Sequence, residues 1–228
     1  MTSVVVVVAA VVLVCAAAGG LTLLYRPPAE ICQTVAEVGA VEVRLAAGRV
    51  EIAETDRTDA RLEMTVRRRV GRTRPALARN GDLLRIDGRA SEARVRLTLP
   101  KATGVRAEVR RGEVTLWGSD GDLVLLTDSG TIAGRELGGG RVTARSRLGD
   151  VILHFASAPE KVSAHSHSGS VTVVVPDGPY AVDVESADVG AVDVSVPADP
   201  AAQRRVSAGG GSGRVRVCSP APDGPVRL

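Results

Sequence analysis

From about residue 35 onward the chain alternates apolar and polar residues with period two, the signature of extended strands with one face buried. Val142, Ala144 and Ser146, then Val151, Leu153 and Phe155, fall on one face, while Arg145, Arg147 and Asp150 fall on the other. One unit later Val162, Ala164, Ser166, Val171, Val173 and Val175 take the apolar positions, and His165 and His167 the polar ones. The first half carries the same pattern more loosely. Val41, Val43, Leu45, Val50 and Ile52 alternate around Gly48, followed by Leu62, Met64 and Val66, then Leu84 and Ile86, then Val95, Leu97 and Leu99 ending at Pro100. No segment after Leu24 shows helical periodicity.

Glycines recur at 112, 130, 149, 169, 190 and 213, with spacings of 18, 19, 20, 21 and 23 residues. Around them a phrase returns: Arg141-Val-Thr-Ala-Arg-Ser-Arg-Leu-Gly-Asp-Val-Ile-Leu153 lies over Lys161-Val-Ser-Ala-His-Ser-His-Ser-Gly-Ser-Val-Thr-Val173 and over Arg205-Val-Ser-Ala-Gly-Gly-Gly-Ser-Gly-Arg-Val-Arg-Val217. Each unit reads as two short strands joined at a glycine turn. A single unit cannot bury its apolar edge, so the pattern predicts an all-β, solenoid-like stack of two-strand rungs of about 20 residues. Thr127, Ser146, Ser166 and Ser186 precede successive turns and predict a hydroxyl ladder at the bend.

The phrases Leu-Thr-Leu-Pro100, Val-Val-Val-Pro176, Asp128-Ser-Gly130, Leu148-Gly-Asp-Val151, Ser168-Gly-Ser-Val171 and Ser212-Gly-Arg-Val215 resemble the bacterial putative-adhesin family, toastrack-like β-solenoid domains that often follow a single membrane span. The resemblance covers roughly residues 35–217 and brings no catalytic residues with it. It implies an envelope-facing scaffold, with related domains in membrane proteins that respond to envelope stress.

Residues 4–24 form an uncharged apolar run of 21 residues, about 31 Å long as a helix and enough to cross the hydrocarbon layer. A transmembrane anchor is expected, with a cleaved signal peptide as the alternative because Ala16-Ala17-Ala18 offers small residues for cleavage. A lipoprotein is disfavoured by the bulky Val14 before Cys15. The expected organisation is an anchor or signal at 1–25, a linker at 26–34, the solenoid at 35–217 and a disordered Pro-rich tail at 218–228.

Orientation is contested by two signals. Arg26, Arg44 and Arg49 follow the span and no Lys or Arg precedes it, which read literally leaves the domain in the cytosol. Cys32 and Cys218 bracket the domain, and a disulfide between them would require an oxidising compartment and stabilise by at most about 5 kcal/mol. The expectation is a single-pass protein of the cytoplasmic membrane with its main domain outside.

Composition narrows the function. Apolar residues make up 44% and aromatic residues 2%, so small aliphatics build the core and neither base stacking nor sugar stacking has many platforms. The net charge of +3 demands no polyanion. The basic run Arg67, Arg68, Arg69, Arg72 and Arg74 reads as a solvated loop or a contact for acidic lipid headgroups, and nucleic acid is not an expected partner. His165 and His167 offer two nitrogens to a metal, but their counterparts one repeat back are Arg145 and Arg147, so an exposed polar column is the better account. Ser119-Asp-Gly-Asp122 matches no calcium loop and reads as a turn. Gly138–Gly140 and Gly209–Gly211 open no helix and so form no phosphate cradle. Asp183 and Glu185 share one strand face, a solvated stripe. No cofactor and no catalytic activity are expected. The reading is a membrane-anchored scaffold or adhesin-like module for a protein or cell-envelope partner; the alternative is an envelope-stress signalling platform coupled to a neighbouring membrane protein.

Overall fold

The computed structural model describes residues 29–67, 75–186 and 191–220. Period-two alternation becomes strand throughout, and no α-helix occurs among the described residues. None of them forms a helix long and apolar enough to cross a membrane, and the run 4–24 lies outside the described residues.

The middle of the stack follows chain order. β6 (Gly104–Trp117) is one complete rung, and the next three are pairs: β7 (Leu123–Ser129) with β8 (Ile132–Leu137), β9 (Arg141–Leu148) with β10 (Val151–Phe155), and β11 (Lys161–Ser168) with β12 (Val171–Val174). First strands pair in parallel with first strands and second with second, giving two ladders that meet at a bend. Inward aliphatics of both ladders, among them Val114, Leu125, Ile132, Ala144, Leu153, Ala164 and Val173, are wholly buried in one core.

The bend is why glycine recurs. Gly112, Gly130, Gly149 and Gly169 stand at φ between +139° and +149°, a region open essentially to glycine alone. Neighbouring rungs also touch here. A β-carbon on Gly130 would fall on the carbonyl of Gly112, and one on Gly149 on the carbonyl of Gly130. Hydroxyls complete the column as predicted at two positions: Ser146 Oγ donates to the Gly130 carbonyl at 3.1 Å and Ser166 Oγ to the Gly149 carbonyl at 2.7 Å, while the buried Thr127 Oγ1 has no partner among the described residues. Replacing Ser166 with alanine is expected to cost about 1 kcal/mol in denaturant unfolding, the net worth of one such bond.

Both ends depart from sequential stacking. At one end β2 (Ala40–Thr55) pairs with β6 on one side and β5 (Leu83–Pro100) on the other, so β5 lies beyond β2 although it follows it in the chain. The intervening β3 (Asp59–Arg67) and β4 (Ala76–Asn80) pair antiparallel with the two halves of β5, and β1 (Ala29–Ala36) pairs antiparallel with β3. In the first half β2 and β5 therefore continue the parallel repeat, with Gly48 opposite Gly112, while β1, β3 and β4 depart from it as antiparallel strands. At the other end β15 (Arg205–Ser212) and β16 (Val215–Cys218) insert between the β11/β12 rung and the rung of β13 (Ala181–Ser186) and β14 (Val192–Val194). The last rung of the chain is the penultimate rung of the stack.

Two expected boundaries move. β1 starts at Ala29, inside the segment expected to be a linker, and Cys218 closes β16 where a tail was expected; residues 221–228 lie outside the described residues.

Loops are tied down by Glu54 at the end of β2. Its buried carboxylate accepts the Ser119 hydroxyl at 2.7 Å, the Asp120 amide at 3.0 Å and the Ala102 amide at 3.2 Å. Residues 119–122 form an irregular loop anchored in this way, with Asp122 Oδ1 accepting from the Arg141 amide at 3.1 Å.

A disulfide between Cys32 and Cys218 does not fit. Cys32 lies on β1 and Cys218 on β16, and the ladder β1-β3-β5-β2-β6-β8-β10-β12-β16 puts eight strand spacings between these strands, about 38 Å. A disulfide needs Cα atoms within about 7 Å. Both cysteines are free, Cys32 exposed and Cys218 half-buried with its thiol pushed up in pKa chiefly by burial. Two free thiols so far apart carry no sign of an oxidising compartment.

Candidate functional site

Side chains on the outer face of a parallel ladder line up in rows across the strands, because register, once fixed by the inward aliphatics, repeats from rung to rung. One such row on the first ladder runs Asp87 (β5), Arg44 (β2), Glu108 (β6), Leu126 (β7), Arg145 (β9), His165 (β11), Gly209 (β15) and Glu185 (β13). From Glu108 to Glu185 this row borders an open groove of about 890 Å³ just before the glycine bend. Arg147, His167 and Gly211 line it from two positions further along their strands.

The four residues expected as an exposed polar column, Arg145, Arg147, His165 and His167, are thus brought together on two neighbouring rungs and line one concavity. The glycines of β15 let β11 lie close beside them. A β-carbon on Gly209 would collide with the His165 ring, and one on Gly211 would collide with the His167 carbonyl. Gly209 thus leaves space for the His165 imidazole, and Gly211 for the close approach of the β11 backbone.

Charge is unevenly settled along the row. Toward β5 and β2 nearly every arginine has an acid. Glu42, 6% exposed, takes Arg44 and, at 2.7 Å, Arg85, while Arg44 also approaches Glu108 at 3.8 Å. On the second ladder Glu51 takes Arg96 at 2.9 Å, and Glu113 takes Arg49 at 2.6 Å. In the groove the alternation breaks, because Leu126 stands where an acid would face Arg145, and Gly209 where a cation would face Glu185. Among the described residues Arg145, Arg147 and Glu185 have no ion pair; Asp128 is engaged by Arg110 at 3.8 Å.

Other candidate residues lie elsewhere. His154 sits on β10 in the second ladder, where burial first and Arg135 second lower its pKa. Among the described residues no group of three His, Cys, Asp or Glu side chains is placed to hold a metal ion. Arg67 ends β3, and Arg68, Arg69, Arg72 and Arg74 lie outside the described residues. Missed by sequence reasoning were Glu108, Leu126 and the partnership of Gly209 with Glu185, since these depend on which rungs are neighbours.

Three solved bacterial structures align with most of the chain. One, described as a putative cell adhesion protein from Clostridium sporogenes, covers 85% of this chain and 100% of its own at 12% identity and a TM-score of 0.48. A putative adhesin from Bacteroides fragilis covers 84% of this chain and 97% of its own at 15% identity and a TM-score of 0.46. A putative adhesin from Parabacteroides merdae covers 86% and 97% at 10% identity and a TM-score of 0.33. No family model matches the chain. No curated protein matches it either.

Proposed function

We propose that this chain is a non-catalytic, adhesin-like binding module of the bacterial cell envelope, tethered through residues 4–24 with its β-domain on the extracytoplasmic side, and that it holds a protein partner in the groove of the first ladder. One observation carries the binding reading. Arg145 and Arg147 line an open groove with no counter-ion among the described residues, on a molecule that otherwise pairs most of its groove-side and ladder charges. Unpaired exposed charge in a concavity costs nothing in water and supplies orientation when a partner excludes that water. The long, regular wall of stacked rungs gives the partner a rigid surface.

The binding reading is tested in the native host by placing a photo-activatable side chain at Arg147, in the groove, or at Thr172, on the outer wall of the second ladder. Protein adducts are expected from position 147 and not from 172. Equal yields, or adducts from 172 alone, contradict it. Placement is tested separately through Cys32, which is exposed and free. A membrane-impermeant maleimide is expected to label it on intact cells without reductant, whereas labelling only after lysis would put the domain in the cytosol.

A further inference from the structure

The charges left open in the groove are of two signs and at two places. Arg145 lies on β9 and Glu185 on β13, in one register row, with His165 and then Gly209 between them. Three strand spacings separate them, about 14 Å. Arg147 reinforces the positive end from two positions along the same strand, and both arginines and Glu185 are exposed. Nothing between the two ends repeats either charge in fixed form. The stretch offers two imidazoles and a glycine backbone.

We infer that the groove recognises an extended peptide segment of the partner, lying across the strands, with a carboxylate on the Arg145/Arg147 end and a cationic side chain about four residues away on Glu185. This rests on the binding reading above and specifies its ligand. The spacing follows from the backbone, since four residues of extended chain span about 13 Å. An arginine fork suits a carboxylate bidentately, and Glu185 suits a lysine or arginine. A uniform polyanion is disfavoured, because a chain long enough to engage the arginines and follow the groove brings negative charge onto unpaired Glu185, and like charges opposed at a contact discriminate against the wrong partner. The other end of the same row lacks this polarity, because Arg44 and Glu108 approach each other at 3.8 Å.

The test pans a phage-displayed library of random nine-residue peptides on the purified full-length chain, and in parallel on Glu185→Lys and on the double variant Arg145→Ala/Arg147→Ala. The native chain is expected to enrich, about tenfold or more over the input, peptides with an acid and a base four positions apart. Glu185→Lys is expected to replace the base with a second acid at that position. The double variant is expected to lose the acid preference while unfolding at the same denaturant concentration as the native chain, since neither arginine makes an ion pair to lose among the described residues. The inference is overturned by enrichment of uniformly acidic or unrelated peptides, by an unchanged profile from Glu185→Lys, or by no enrichment at all. In-cell adducts at position 147 would stand in each of those cases, so the ligand assignment can fail while the groove remains a binding site.

Discussion

Replacing Gly130 with alanine is expected to destabilise the domain by about 4 kcal/mol or more, enough to remove most of the stability of a single domain. Two costs combine. Gly130 holds φ at +139°, where an L-residue is strained by about 1–3 kcal/mol, and its new β-carbon would fall on the Gly112 carbonyl oxygen of the neighbouring rung. Backbone cannot step aside there, because the adjoining bend carries Gly149, packed against the Gly130 carbonyl in the same way. Gly81 is the control. It also has a positive φ, +62°, but a β-carbon there meets nothing within 4 Å, so Gly81→Ala is expected to cost about 1 kcal/mol. Urea unfolding of the two variants beside the native chain decides it; equal losses would mean that the glycine column is not a close-packed backbone contact.

The second large effect belongs to Glu54. Removing its side chain with alanine orphans the Ser119 hydroxyl and the Ala102 and Asp120 amides together, and is expected to cost about 3 kcal/mol. Glutamine keeps an acceptor for both amides and a donor for the hydroxyl, and is expected to stay within about 1 kcal/mol of the native chain. The two differ further in pH dependence. Burial pushes the Glu54 carboxyl above its ordinary value, against the downward pull of its three hydrogen bonds. The native state therefore holds this proton to higher pH than the unfolded chain does. This contribution is fully present below the unfolded carboxyl's range and is lost as pH rises through the raised value. Unfolding midpoints measured across that window should slope downward for the native chain and lose this component in Glu54→Gln. Glutamine as damaging as alanine would show that charge, not hydrogen bonding, holds the loops.

The rungs were legible because burial and period coincide. Val142, Ala144, Val151 and Leu153 are inward and buried where the alternation puts them, and Gly112, Gly130, Gly149 and Gly169 bend the chain where their spacing says. Rung order was harder, because period two fixes which way a side chain points and says nothing about which rung lies next. One signal of the order was present. The phrase at 205–217 matches 161–173 more closely than anything in 181–194 does, and β15 and β16 are indeed the neighbours of β11 and β12. Similar rungs pack side by side because a column of Val, Ser and Ala repeats its own shape. The antiparallel β1, β3 and β4 carry the same alternation as parallel strands, so their direction left no trace in composition. Likewise Arg145, Arg147, His165 and His167 were visible as a column, but the groove and its negative end required Glu185 to be placed beyond Gly209.

Everything about the groove depends on β15 lying between β11 and β13, and a disulfide trap tests that placement most directly. Ser168 Oγ and Ser212 Oγ are 3.3 Å apart on β11 and β15. In the Ser168→Cys/Ser212→Cys variant, mild oxidation is expected to form the 168–212 disulfide, identified by peptide mass, while Ser163→Cys/Asp183→Cys, two strand spacings apart through Ser207, should stay reduced. A 163–183 bond with no 168–212 bond would mean that the rungs stack in chain order, and that Glu185 does not stand at the far end of the groove.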